Sequence, residues 1–256
     1  MRRPLILISN DDSLLARGIN ELVRFASSFG DVVVVAPDRP RSGAAGSITS
    51  AKPVRLKLVH REPWMQVYSC TGTPVDCIKL AKYALLQHKP DLILGGINHG
   101  DNSGINVHYS GTMGIVMEGC ICGIPSIGFS IDDHRPEARF DHCEQVIKDL
   151  IGKVLAEGLP KGVCLNVNFP AEGPLQGVRL CRQSCGQWIN EWIEREHPKG
   201  GKYYWLTGNL SIENPEDTDT DHYALQHGYA AITPIRIDLT AYDAWEQLNK
   251  TFIDPQ

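Results

Sequence analysis

The chain has 256 residues, 42% of them hydrophobic and 21% charged, which are the proportions of an ordinary folded protein. That length holds one large or two small domains and excludes a disordered, collagen-like or coiled-coil chain. Its 25 Lys and Arg against 30 Asp and Glu leave a formal charge of -5, which repels a nucleic-acid duplex and excludes a general DNA-coating role.

Residues 5–9 are a short apolar run, read as a buried strand, and Asn10-Asp11-Asp12 closes it. No apolar run reaches the ~20 residues that span a bilayer, and this first one is too short for a secretion signal. The expectation is a cytoplasmic protein with no membrane partner. Ile19, Leu22, Val23, Ala26 and Phe29 recur at helical spacing, with Gly30 as the stop. Val32 to Ala36 is uninterrupted and β-branched, hence a strand covered on both faces. Strand, helix and strand in succession make a βαβ unit and imply a parallel sheet with helices outside it.

Residues 37–50 are a loop rich in Pro, Gly and Ser. Val54, Leu56 and Leu58, then Met65 and Val67, alternate as an antiparallel or edge pair. Thr73-Pro74-Val75-Asp76 opens a helix through Ile78, Leu80, Ala81 and Leu85. Leu92–Leu94 is a strand, and Gly95 to Tyr109 is a glycine- and asparagine-rich loop. A helix starts near Ser110, a strand covers Ser126–Ser130, a helix carries Val146 to Leu155, and a strand covers Val163–Val167. From about 176 the character changes. Trp188–Glu196 and Lys202–Thr207 flank a turn at His197 to Gly201, a hairpin that either packs on the core or protrudes to grip a second subunit. A polar segment over 213–221 precedes a last strand at 229–236 and a helix at 240–250. The eight cysteines, at 70, 77, 120, 122, 143, 164, 181 and 185, are expected to be reduced, and none has zinc-knuckle spacing.

The polar clusters follow strands: Asn10-Asp11-Asp12 after the first, Ser42-Gly43 after the second, Asn98 and Asn102 after the strand at 92–94. In an open parallel sheet such loops share one edge, where ligands bind. Adjacent carboxylates there repel unless a cation sits between them, and oxygen ligands suit one hard divalent ion, magnesium or manganese first. Asp11, Asp12, Ser42 and Asn98 are the candidate metal ligands. The alternative for the acid pair is a helix cap beside a solvated acid. Ser110-Gly111-Thr112 at a helix start offers N–H groups and a hydroxyl to a phosphate, or a simple cap, and Gly43 permits close approach. His99 and His108 are candidate proton carriers. No P-loop, dinucleotide fingerprint, GxSxG elbow or HExxH occurs, and the acids are adjacent rather than a DxD pair.

In Ile8-Ser9-Asn10-Asp11-Asp12, in Val35-Ala36-Pro37-Asp38-Arg39 with Ser42-Gly43, and in Gly72-Thr73-Pro74-Val75-Asp76-Cys77, the chain resembles the survival protein SurE family of metal-dependent nucleotidases. Gly96-Ile97-Asn98 with Gly100 and Asn102, Tyr109-Ser110-Gly111-Thr112 with Glu118-Gly119, Tyr203-Tyr204-Trp205, and Gly228-Tyr229 through Asp238-Leu239-Thr240 continue the match in order. The resemblance implies a three-layer α/β/α sandwich with a mainly parallel, Rossmann-like sheet and a C-terminal hairpin-and-helix arm swapped between subunits. Residues 1–175 would be the catalytic core and 176–256 the oligomerisation segment of a homodimer or homotetramer. It implies hydrolysis of nucleoside 5′- and 3′-monophosphates, with possible trimming of polyphosphate, on one divalent cation per subunit. Asp11, Asp12, Asn102 and Ser110 become the catalytic set, and Asn10, Gly43, Asn102, Ser110, Gly111 and Thr112 the phosphate contacts. Two departures stand out: Ser13 where the family usually has glycine, and the bulky stretch Met113 to Met117. A nucleotide-binding module without turnover and a purely structural oligomer are the competing readings.

Overall fold

The structure, a computed structural model, describes residues 2–253; Met1 and 254–256, at the ends of the two expected segments, lie outside the described residues. The first part of the chain alternates strands and helices: β1 (Leu5–Ser9), α1 (Arg17–Ala26), β2 (Asp31–Pro37), the antiparallel pair β3 (Leu56–Glu62) and β4 (Met65–Cys70), then α2 (Pro74–Leu80) and β5 (Leu92–His99). It continues with α3 (Gly111–Ile121), β6 (Ser126–Ile131), α4 (Glu144–Glu157) and β7 (Val163–Phe169).

Strand β1 shows why these runs are apolar throughout. Ile6 and Ile8 enter one cluster, with Ile19, Leu22 and Phe25 of α1 and Ile147, Ile151 and Val154 of α4. Leu7 points the other way, into a cluster with Cys77 and Ile78 of α2 and Ile115 of α3. Val32 and Val34 against Val33 and Val35 repeat the split in β2. Period-two side chains with helices on both sides leave no wet face, so the centres of β1 and β2 are apolar.

The second part of the chain is built differently. Short strands β8 (Gly177–Leu180), β9 (Gly186–Ile189), β10 (Trp192–Glu196), β11 (Lys202–Leu206) and β12 (Asn209–Ile212) precede α5 (Asp221–Gln226), β13 (Tyr229–Arg236) and α6 (Tyr242–Phe252). The main sheet has nine strands in the order β3-β4-β2-β1-β5-β6-β7-β13-β8. The strands from β4 to β7 are mutually parallel, while β13 runs antiparallel to β7. This is the expected α/β/α sandwich on a mainly parallel sheet. Residues after 176 form the arm and also return β8 and β13 to the sheet.

The expected hairpin splits in two. β9 pairs with β12 near the body, and β10 with β11 beyond it. The outer pair is exposed along its length, with Trp192 at 62% and Trp205 at 64%, and its last residue, Leu206, lines the cleft described below. Of the two readings of the hairpin, the outer half follows the protruding one. Among the described residues no helix is long and apolar enough to cross a membrane.

Two expectations need correction. The span 95–109 is not all loop, because β5 continues to His99 and pairs Asn98 with Ser130 and His99 with Ile131 across a register shift. Glycine and asparagine have poor strand propensity, and the ladder to β6 overrides it. The second helix opens with the expected capping box, Thr73 Oγ1 accepting from the Asp76 amide at 3.1 Å and Asp76 Oδ2 from the Thr73 amide at 2.9 Å. It ends as an α-helix at Leu80 and finishes in a wider π turn over Ala81–Leu85. The last acid of the polar segment, Asp221, starts α5 and is fully buried.

Candidate active site

Parallel β1, β2 and β5 deliver their C-terminal ends to one rim. The strand order turns at β1, which has β2 on one side and β5 on the other, and such a switch point opens a crevice. The backbone closes this crevice from both sides. The Arg41 amide donates to the Asp11 carbonyl at 2.7 Å, and the His99 amide donates to Asp12 Oδ2 at 3.0 Å. Ser42 and Asn98 each stand one peptide step from these bonds, so chain segments nearly ninety residues apart meet here. Asp11, Ser42, Gly43, Asn98, Asn102 and Ser110 line one cleft of about 530 Å3.

Asp11 is 3% exposed, and burial first, then the neighbouring Asp12 charge, push its carboxyl up to about 6. The Thr112 hydroxyl, donating to Asp11 Oδ1 at 2.7 Å, and the Asp11 and Gly111 amides pull the other way without cancelling the shift. Burial also raises Asp12, against the His99 amide and the charges of His99 and His134. The rim therefore holds two carboxylates short of positive charge. Among the described residues no three His, Cys, Asp or Glu side chains gather in a metal-holding group, so an ion here would take two carboxylates and neutral oxygens. The donor set fits one. Asn98 Nδ2 is spent on the Gly100 carbonyl at 2.7 Å, which leaves Oδ1 as its acceptor. A Cβ on Gly111 would stand 2.7 Å from Asp11 Oδ2, so only glycine lets the first turn of α3 back the carboxylate this closely.

The phosphate candidates divide. Ser110 caps α3 and accepts from the Met113 amide at 3.0 Å, which leaves its hydroxyl hydrogen to donate into the cleft. Asn102 lines the cleft on a buried polar ladder: its amide donates to Asn168 Oδ1 at 2.7 Å, its Nδ2 to Ser130 Oγ at 2.7 Å, and its carbonyl accepts from Asn166 Nδ2 at 2.8 Å. Asn168 Nδ2 in turn donates to Asn166 Oδ1 at 3.1 Å. Thr112 and Asn10 are fully buried and stand behind the rim; Asn10 Nδ2 donates to the Ser13 carbonyl at 2.9 Å, and among the described residues its Oδ1 has no partner. Ser13 has φ 88°, so the turn after the acids does demand the left-handed conformation that suits glycine. Met113, the first of the bulky residues, is absorbed in a cluster with Val107, Val116, Cys120 and Cys164.

The sequence reading missed several residues of this site. The alternation Asn166, Asn168 inside an apolar strand was a usable signal, because a buried amide needs partners. His134 had no signal. It enters the cleft across Gly100, where a Cβ would stand 2.2 Å from the ring, and its neighbours Asp133 and Arg135 brace the loop through Arg135 Nε and Nη2 at 2.9 and 2.8 Å. The Arg135 guanidinium holds the Asp133 carboxyl down to about 2. His99 lines the cleft with its ring edge-on to Phe140, whereas His108 faces an adjoining cavity with Arg182 and Arg236. Trp188, Glu191, Leu206 and Thr207 of the arm complete the far wall.

The model of the family described as survival protein SurE matches residues 6–190. A protein of Phocaeicola vulgatus named 5′-nucleotidase SurE is 54% identical over 246 residues, covering 96% of each chain. One of the same name from Bacteroides thetaiotaomicron is 53% identical over 97% of this chain and 96% of its own. The crystal structure of the SurE protein from Aquifex aeolicus superposes with a TM-score of 0.82 at 37% identity, covering 97% of this chain and 99% of that one.

Proposed function

The chain belongs to the survival protein SurE family, and from that premise we propose that it is a metal-dependent nucleotidase that releases phosphate from nucleoside monophosphates. One observation carries the reading. Asp11, Ser42, Asn98 and Ser110, from four separate segments, line a single cleft at the switch point of the sheet. The relatives' printed name supports the 5′ ester as substrate. We extend the proposal to 3′-monophosphates and short polyphosphate, because a cleft of about 530 Å3 has room for more than one phosphate. We place the protein in the cytoplasm as a dimer or tetramer held by the exposed outer hairpin and by α6, swapped between subunits.

Asp11, Asp12, Ser42 and Asn98 would hold the divalent ion, which supplies Lewis acidity toward a phosphoryl oxygen. The chain's own groups do the rest. Ser110 donates its free hydroxyl hydrogen to another phosphoryl oxygen. Asn102 has a second amide hydrogen for the same purpose and is held rigid by Ser130 and Asn168. The start of α3 adds the positive end of its dipole. Thr112 keeps the Asp11 carboxylate in place.

The test is the double variant Asp11→Asn with Asp12→Asn, assayed for inorganic phosphate from AMP and GMP with manganese or magnesium and again with chelator. Loss of release in the variant and in chelator is expected. Full activity of the variant refutes the metal site, and nucleotide binding without release assigns a non-catalytic module instead.

A further inference from the structure

The cleft is longer than a phosphate needs. Besides Asn102 and Ser110, its wall includes Asn106, Tyr109 and the arm residues Trp188 and Glu191. Trp188 is pinned, because its Nε1–H donates to Asn106 Oδ1 at 2.9 Å. That bond holds the indole in the cleft wall and occupies Asn106 Oδ1, so the Asn106 side chain turns its N–H group to the cleft as a donor. Glu191 sits in the bend between β9 and β10, next to Asn190 at φ 55°, and its carbonyl accepts from the Thr207 amide at 2.7 Å. The bend is therefore set by the backbone. Among the described residues the Glu191 carboxylate has no ion-pair partner. Beside Asp11 and Asp101, which line the same cleft, this further anion works against a phosphate substrate unless the substrate itself brings N–H donors to meet it.

We propose that this end of the cleft is a nucleobase subsite selective for guanine, an inference that rests on the nucleotidase reading above. The purine stacks on Trp188, with Tyr109 beside it. Its N1–H and exocyclic N2–H donate side by side to the two Glu191 oxygens, the bidentate geometry a carboxylate prefers. Its O6 accepts from the Asn106 amide. Adenine in the same place turns the bare N1 lone pair toward a carboxylate oxygen and donates only through its amino group. Pyrimidines offer less area to the indole.

The test compares kcat/KM for GMP, AMP and CMP, each divided by the value for phenyl phosphate, which has no base edge. Wild type is set against Glu191→Gln, Trp188→Leu and, as a control on the outer hairpin, Glu194→Gln. Wild type should favour GMP over AMP by about tenfold, the discrimination of one bidentate pair. Glu191→Gln should bring that ratio near one, and Glu194→Gln should keep it. Trp188→Leu should lower both purine nucleotides relative to phenyl phosphate. Competitive inhibition by guanosine and adenosine reads the same preference without turnover. Equal use of GMP and AMP by wild type, or an unchanged ratio in Glu191→Gln, overturns the subsite while the phosphatase reading stands. No phosphate from any of the four substrates overturns both.

Discussion

The most revealing perturbation is Asp11→Asn in protein stripped of metal. The Asp11 carboxyl rises from 3.8 to about 6 on folding because burial and the Asp12 charge disfavour its ionised form. Below about pH 3.8 it is protonated in folded and unfolded chains alike and costs nothing. Between there and about 6 the unfolded chain releases the proton and the folded chain keeps it, so stability falls as pH rises. Above about 6 the whole penalty is present; at about 1.4 kcal/mol per pH unit it amounts to about 3 kcal/mol. Asparagine keeps the shape, and its amide oxygen still accepts from Thr112, but it carries no charge. In chelator at pH 8 the variant should therefore melt higher than wild type, by roughly 6–12 °C at the ~2–4 °C per kcal/mol of a domain this size. Near pH 4 the difference should shrink. Added manganese or magnesium should reverse the order, since an ion at 1,000 times its Kd returns about 4.1 kcal/mol to wild type alone. Scanning calorimetry at both pH values, with chelator and with metal, reads all of this. A variant less stable than wild type at pH 8 in chelator, or one stabilised by metal as strongly as wild type, would refute the account of the rim.

Other substitutions probe the scaffold around the cleft. Ser13→Gly relieves a left-handed backbone and should gain about 1 kcal/mol in denaturant unfolding; no gain would mean that the turn is relaxed with serine. Asp221 accepts from the amides of Gly104 and Ser184 at 2.9 Å each, tying the loop of Asn102 to the root of the arm. Asp221→Ala leaves those buried donors bare, and a loss of about 2–4 kcal/mol with a raised KM is expected. Asn168→Val removes the acceptor for the Asn102 amide, and kcat should fall further than stability alone explains, by about tenfold, if Asn102 holds the phosphate. An unchanged kcat in a folded Asn168→Val protein would remove Asn102 from the catalytic set.

What could be read in the chain and what could not follow from the range of the forces involved. β1, β2, β7 and the helices α1 and α4 were legible because their apolar periodicity is local and each side chain reports which layer it faces. The end of β5 was hidden. Gly95 to His99 carries no strand signal of its own and takes its shape from β6. The arm was partly legible. Its aromatic residues announced strands, but which of them face the body depends on one bond, Trp188 to Asn106, across 82 residues of chain. His134 was illegible for the same reason, since its place is set by the missing side chain of Gly100 and by the Asp133–Arg135 pair. Asp11, Asp12, Ser42 and Asn98 could be grouped in advance because the rule used was topological. It needs only the direction of the strands, and a βαβ unit fixes that.

The two ends of the cleft differ in how they are built, and this bears on what can vary. At the rim, the candidate ligands sit within a residue or two of hydrogen bonds between neighbouring segments, the Arg41 amide to the Asp11 carbonyl and the His99 amide to the Asp12 carboxylate. Moving one of these positions means moving the sheet. At the far end, Trp188 and Glu191 ride on β9 and its bend; β9 pairs with β12 of the same arm, and the Trp188–Asn106 bond and the Ser184 amide on Asp221 tie that arm to the body. Such a wall can change residues with little strain on the core. The chemistry of phosphate release is thus tied to the switch point of the sheet, while the choice of base rests on a lightly anchored arm. Swapping the 186–212 segment with that of a relative should accordingly transfer base preference and leave metal-dependent stabilisation of the core in place. Fluorimetric melting with and without manganese, set beside the GMP to AMP ratio, separates the two effects; loss of the metal response in the chimera would show that arm and rim form one unit.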